Sequence, residues 1–546
     1  MADRLALVRG EPEWGLSMIE NIRMLILLLA VLAAATMLAE RLKVPSAILL
    51  VLIGLLLSFL GGLPPLELAP EVVLLLVLPP VLYSAAFNMS WREFRFNLRP
   101  IALLSVGGVL FNTFAVAVAV YWLLHMDWAA ALLLGAIVSP PDAVAPLAVA
   151  RKMEIPRRIL VVLEGEGLAN DAVALILYRF AVAAISVGVF SLGEAVGAFA
   201  GIVAGEITWG IGVAWLMLRL RRWANEPRIE IVLSTLTPFF AFWPPAQLGG
   251  SGVLATVAAG LYTSWNGPRL ISAATRLQGV FFWQSFIYVI EGMVFLITGL
   301  QARAIASRIG EFQLSQLGLS IAVIAAVTIL ARFIWVFPAV YLPRWLFPAI
   351  RRRDPSPPWQ WTFILAFTGV RGMVSLAAAL SIPIATAAGL PFPYRDLILL
   401  LTFALILITL VGQGLMLPWL IRRLGLAHAG RKERDSERVE ERRARAEAVR
   451  AAVSALEELA TQRDPSPDAL DIIRLLHQDR LKRIDEHGEA AQAAPHPAEL
   501  HDEVERLLIA AERERINALY RVGELHDEAR RRIERELDMR EARLFR

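Results

Sequence analysis

Four polar residues, Glu164, Glu166, Asn170 and Asp171, fall within VVLEGEGLANDAVA at 161–174, inside an apolar segment long enough to cross a bilayer. An ionised group at that depth is costly unless it is paired or faces water, so such residues mark a functional site by default. On a helix turning ~100° per residue, Glu166 and Asn170 lie ~40° apart, whereas Glu166 and Asp171 lie ~140° apart. The two acids therefore address different neighbours, one free to be held by a structural partner while the other faces a pathway. Two further segments place polar groups beside helix breaks. Ser139-Pro140-Pro141-Asp142 carries adjacent prolines that remove backbone donors and clash with the preceding turn. Thr368-Gly369-Val370-Arg371-Gly372 has glycines that permit a break next to a charged side chain.

The elements that must position these residues are membrane spans. Hydrophobic residues make up 57% of 546 positions and charged residues 19%, with a mean hydropathy of +0.56, which describes a polytopic membrane protein. Thirteen apolar runs approach or exceed the ~20 residues needed to cross the hydrocarbon core. They lie near 20–39, 45–62, 71–88, 100–124, 128–149, 158–188, 193–219, 229–244, 248–265, 278–301, 315–343, 359–385 and 395–421. No cleavable signal peptide is evident, since the first apolar run is long enough to span and lacks a small-residue cleavage site. Zero cysteines exclude disulfides and thiolate metal sites, and a net charge of +4 gives no reason to invoke nucleic acid.

Basic residues concentrate in alternate loops, for example Arg92, Arg95 and Arg99, then Arg151, Lys152, Arg157 and Arg158, then Arg351, Arg352 and Arg353. Arg303, Arg308 and Arg395 are exceptions. By the positive-inside pattern the N-terminus lies outside and the C-terminal tail in the cytoplasm of a plasma-membrane protein. The organisation expected is a membrane domain over 1–425 and a soluble tail over 426–546. The tail contains ERRARAEAVRAAVSALEELA and ERLLIAAERERINALYRVGELHDEARRRIERELD, amphipathic helical patterns separated by a break at Pro465 and Pro467. Broken spans in corresponding halves of a chain point to a transporter site at the midplane, and the seven-span spacing between them suggests two halves in inverted orientation.

EGEGLANDAVAL resembles the Glu-x-x-x-Asn-Asp signature of sodium/proton exchangers of the NhaP and eukaryotic exchanger type, within the monovalent cation/proton antiporters. SPPDAVAP is similar to their broken-helix motif. LPPVLYSAAF at 78–87, GGSGVLATVAAGL at 249–261, EGMVFLITGL at 291–300, ILARFIWVFP around Arg332 and GVRGMVSLA at 369–377 also resemble family segments, in the family's order. The resemblance covers roughly residues 20–425. It implies an all-α fold of about thirteen transmembrane helices with inverted repeats and two broken crossing helices, a homodimer, and alternating access.

It further implies that Asp171 binds cation or proton with Asn170 beside it, that Asp142 and Ser139 belong to the cation site at the crossing, and that Glu166 pairs with Arg332. The transported ions would be Na+, with K+ or Li+ as the alternative, against H+, with Asp171 and Asp142 as the metal-facing acids and no cofactor. Three positions depart from the pattern: Pro141 replaces a threonine, Ala143 replaces a proline, and Ser84 stands where many bacterial relatives have an acid. Arg371 either neutralises the broken helix's carbonyl dipoles or pairs with an acid. Glu291 is a pathway acid or the partner of Arg371, and Glu164 lies near enough to a helix start to snorkel into water. One carboxylate that holds either a proton or a cation couples the two fluxes. Where electrogenic relatives carry two adjacent acids this chain has Asn170-Asp171, which implies electroneutral one-for-one exchange.

Two other function classes meet the same residues. Gly249-Gly250-Ser251-Gly252 fits the pattern of a serine nucleophile, but the only histidine of the membrane domain is His125 at the outer face, so a helix-end or helix-packing role is expected in place of an intramembrane protease. A cation channel would need a continuous pore and no obligatory protonation.

Overall fold

In hydrocarbon every backbone N–H and C=O must be satisfied within the protein, and a helix does this segment by segment. A computed structural model describes residues 13–60, 70–187, 192–307, 313–386 and 389–463, a helix at 508–516, and isolated positions at 475, 533, 536, 537 and 539. Among the described residues there is no strand, only an isolated bridge between Ala385 and Pro391. The chain divides into two compact units, Met1–Arg431 and Lys432–Arg546.

The first unit runs α1 (Glu13–Leu42), α2 (Ser46–Phe59), α3 (Pro70–Asn88), α4 (Leu98–Leu124), and α5 in two halves (Trp128–Val138 and Val144–Lys152). It continues with α6 (Arg157–Val187), α7 (Leu192–Ala224), α8 (Pro227–Gln247), α9 (Val253–Leu270), α10 (Ala273–Leu300) and α11 (Leu314–Leu346). Last come α12 in two halves (Trp359–Phe367 and Met373–Leu380) and α13 (Arg395–Arg423). Among the described residues eight helices are long and apolar enough to cross a membrane; the other five expected spans coincide with shorter, interrupted or less apolar helices, α2, α5, α8, α9 and α12. The span expected to reach 385 stops helically at Leu380, because Pro383 disfavours the helical conformation for the residue before it.

Adjacent prolines shape three helices. Pro79 and Pro80 cannot donate to the carbonyl of Leu75, and the preceding turn widens to a π-turn at Val73–Val77. The freed Leu75 carbonyl accepts from the indole of Trp243 at 3.0 Å. Pro244 and Pro245 likewise leave the Phe240 carbonyl of α8 without its own donor, and Trp209 of α7 supplies one at 3.0 Å. Pro140 and Pro141 end the first half of α5.

The second unit holds most of α14 (Leu426–Arg463), whose Arg and Glu density gives it no spanning face. Ile509, Ile516 and Leu537 form its own small apolar cluster with Ile533. The expected break at Pro465 and Pro467, most of the second tail helix, and Arg308 lie outside the described residues.

Candidate functional site

The two breaks meet. The amide of Asp142 donates to the carbonyl of Val370 at 2.7 Å, joining the interruption of α5 to that of α12. Asp142 Oδ1 accepts from the amide of Val144, 2.8 Å away at the start of the second half of α5, and its carboxylate also lies against the amide of Met373, which opens the second half of α12. Two half-helix N-termini, each with partial positive charge, thus converge on one carboxylate. The approach is so close that a Cβ at position 372 would overlap Asp142 Oδ2, so only glycine fits there.

Asn170 is fully buried and spends its amide on this crossing. Its Nδ2 donates to the carbonyl of Pro141 at 2.6 Å, and its Oδ1 accepts from the amide of Asp171 at 2.7 Å. Missing prolyl donors and the interrupted helix leave carbonyls here that need such a partner. Asn170 therefore ties α6 to the broken α5 and turns away from the cavity described next.

That cavity, of 370 Å³, is lined by Asp142, Asp171, Glu164, Glu291, Ser84 and Ser375. It reaches from Asp171, midway along α6, to the pair of Arg151 and Glu164, whose 2.6 Å contact is at an exposed end. Four carboxylates face it against the single guanidinium of Arg151, so its field favours cations. Asp171 and Asp142 repel each other across it, as do Glu291 and Asp142. The Asp171 carboxylate makes no side-chain hydrogen bond and no ion pair among the described residues.

Five residues earlier on the same helix, Glu166 is saturated. Arg332 of α11 donates to both of its oxygens, at 2.6 and 2.9 Å, with both side chains buried. The same guanidinium donates to the Leu365 carbonyl at 2.9 Å, one of the acceptors left over where the first half of α12 ends.

Four candidates are placed differently from the sequence reading, and Asn170 is the first: expected in the cation site, it commits its side chain to Pro141 and Asp171 and does not line the cavity. Ser139 does not line the cavity: its hydroxyl bonds the Gly135 carbonyl at 2.5 Å and meets Thr113 Oγ1 at 2.8 Å, as expected of a hydroxyl on a helix's last turn with a free carbonyl below it. Arg371 is not paired with Glu291. Its guanidinium is buried with none of its nitrogens hydrogen-bonded among the described residues, while its amide donates to Thr409 Oγ1 at 3.0 Å. The charges that act on it are those of Arg332 and Glu166. Glu164 is not merely solvated but bonded to Arg151. Among the described residues no group of three or more His, Cys, Asp or Glu forms a cage for a metal ion, so Asp171 and Asp142 stand as a pair of acids.

Sequence reasoning missed Glu206, a buried acid midway along α7. Its carboxylate accepts from the amides of Ser251, Gly252 and Leu254 and from the Ser251 hydroxyl, the last three at 2.9–3.0 Å. It caps the N-terminus of α9 from another helix, and this accounts for the Gly-Gly-Ser-Gly segment. The signal was present, because an acid inside an apolar span is the same cue that drew attention to Asp171.

The family model described as "Sodium/hydrogen exchanger, transmembrane" matches residues 26–423. The chain is 33% identical over 535 residues to an uncharacterized Na(+)/H(+) exchanger of Mycobacterium tuberculosis, covering 95% of this chain and 96% of that one. It is 34% identical over 391 residues to a sodium, potassium, lithium and rubidium/H(+) antiporter of Bacillus subtilis, covering 69% and 57%. In fold it is similar to the sodium proton antiporter MjNhaP1 of Methanocaldococcus jannaschii, with a TM-score of 0.61 at 19% identity, covering 74% of this chain and 99% of that one.

Proposed function

The chain belongs to the transmembrane sodium/hydrogen exchanger family, and on that premise we propose that it exchanges protons for a monovalent cation, Na+ first among them, by alternating access at Asp171. The observation that carries this reading is the unpartnered Asp171 carboxylate in a cavity of four acids beside two crossed broken helices. Burial disfavours the charged carboxylate and a bound cation favours it, so proton and cation compete for one group. Asp142, fixed between two helix N-termini, stays ionised and supplies a constant field, while Asn170 holds the crossing in register. No cofactor enters the cycle. The Bacillus subtilis relative's name supports a second reading, in which K+ or Li+ is also carried.

In this reading the basic loops face the cytoplasm of a plasma membrane, the N-terminus is outside, and the cavity, open at Arg151, faces inward. The protein works as a homodimer. Support comes from α7, where Gly193, Gly197, Gly201 and Gly205 recur every four residues with open space beyond each, a face on which a second helix can pack closely.

Because only Asp171 alternates between proton and cation, exchange is one-for-one and electroneutral. Moving one net charge is worth about 2.3 kcal/mol per 100 mV. Proteoliposomes holding a fixed pH gradient, given Na+, K+ or Li+ in turn and an imposed potential of either sign, test the reading. Gradient dissipation that needs a cation and is indifferent to potential is expected; dissipation without any cation, or initial rates that change several-fold with potential, would overturn it.

A further inference from the structure

A groove of 600 Å³ lies on the outer surface of α11, at the end of that helix next to Arg351, Arg352 and Arg353. Its apolar wall is Phe337, Pro338, Leu342 and Trp345; Trp345 is 77% exposed, and farther along α11 Leu330 and Ile334 are also exposed. On a spanning helix such a surface faces acyl chains. The groove ends at Arg351 and Ser356, where the apolar wall gives way to donors.

The wall is built in advance. Tyr341 donates its hydroxyl to the Pro357 carbonyl at 3.1 Å and accepts from Thr362 at 3.2 Å, closing the α11–α12 connection onto the helix. Arg344, which also lines the groove, is already paired with Asp354 at 2.7 Å. Asp354 also receives Arg99 at 2.5 Å and Arg158 at 2.6 Å, so three guanidiniums share one carboxylate. The local acid is thus outnumbered before Arg351 is considered. Arg351 itself is exposed and makes no ion pair or side-chain hydrogen bond among the described residues.

We propose that this groove binds one anionic phospholipid, its acyl chain along Phe337, Leu342 and Trp345 and its phosphate at Arg351 and Ser356. A surplus of basic charge at a membrane interface attracts anionic headgroups, and the adjoining apolar wall selects a lipid over a soluble anion. The site depends on the membrane placement of α11 and not on the exchange reaction, so its failure would leave the exchange reading intact.

Native mass spectrometry of the full chain in mild detergent tests it, with titrations of phosphatidylglycerol, phosphatidylcholine and glycerol phosphate. The expected result is preferential retention of phosphatidylglycerol, weakened about five-fold in Arg351→Gln, the loss typical of removing one arginine from an anionic surface. Arg352→Gln, the same charge change outside the groove, is expected to retain the lipid as the parent does, and Trp345→Ala to lose it. Equal losses in both arginine variants would reduce the effect to diffuse charge and overturn the site. So would equal retention of phosphatidylcholine, or glycerol phosphate binding as tightly as the lipid.

Discussion

Glu166 and Asp171 sit five residues apart on one helix, both buried, and the protein treats them in opposite ways. Glu166 has each of its oxygens held by a guanidinium hydrogen bond and does not line the cavity. Asp171 receives none and faces a cavity. Glu206 belongs with Glu166, since three amides and a hydroxyl hold it. A buried charge that is saturated is an architectural element, because its removal strands its partners. A buried charge left unsaturated keeps its binding free energy for a ligand.

The sharpest way to break this comparison is at Asp171. Asp171→Asn keeps the side-chain volume and removes the only group proposed to alternate between proton and cation. Complete loss of cation-dependent pH-gradient dissipation is expected, with an unchanged melting temperature. Robust exchange by this variant would show that the open acid is not the exchanging one.

A smaller effect, on stability, is expected at the saturated pair. Neutralising either Glu166 or Arg332 alone strands its partner and costs about 3–5 kcal/mol, the range for breaking a buried pair. Replacing both with apolar residues of similar volume recovers part of that loss. Thermal melts of the two singles and the double measure the coupling, and strictly additive losses would mean that the contact contributes nothing of its own.

At Glu206 the expected loss is smaller again. Glu206→Gln keeps one acceptor oxygen but turns an amide donor toward a ring of donors, which costs about 1–3 kcal/mol for the groups left unsatisfied. A lowered melting temperature with exchange retained in the folded fraction is the outcome that separates a helix cap from a transport acid. Ser251→Ala removes only one of the four donors, and should change neither exchange nor melting by much; a selective loss of activity there would revive the nucleophile reading.

Much of the framework is written locally in the chain. Apolar runs of sufficient length dictated helices, since nothing else satisfies a backbone in lipid. Prolines at 79–80 and 140–141 fixed where helices widen or open, and those at 244–245 freed a carbonyl inside an unbroken helix, because a missing N–H and a ring clash act within one turn of the residue that carries them. The ~140° between Glu166 and Asp171 followed from helix geometry alone, and it was enough to send them to different neighbours.

What meets each freed or buried group was decided only by tertiary structure. No local rule joins Trp243 to the Leu75 carbonyl, 168 residues away in sequence, or Glu206 to the amides that open α9. Ser139 stands next to the break and was read as a ligand, yet the carbonyl one turn back and Thr113 claim its hydroxyl. Arg371 had an acid available in the sequence and stays apart from it, since Glu291, carried by α10, lines the cavity and the Arg371 guanidinium does not. A missing donor is a property of one residue, whereas its replacement must come from whichever helix packs alongside, and that depends on the whole bundle.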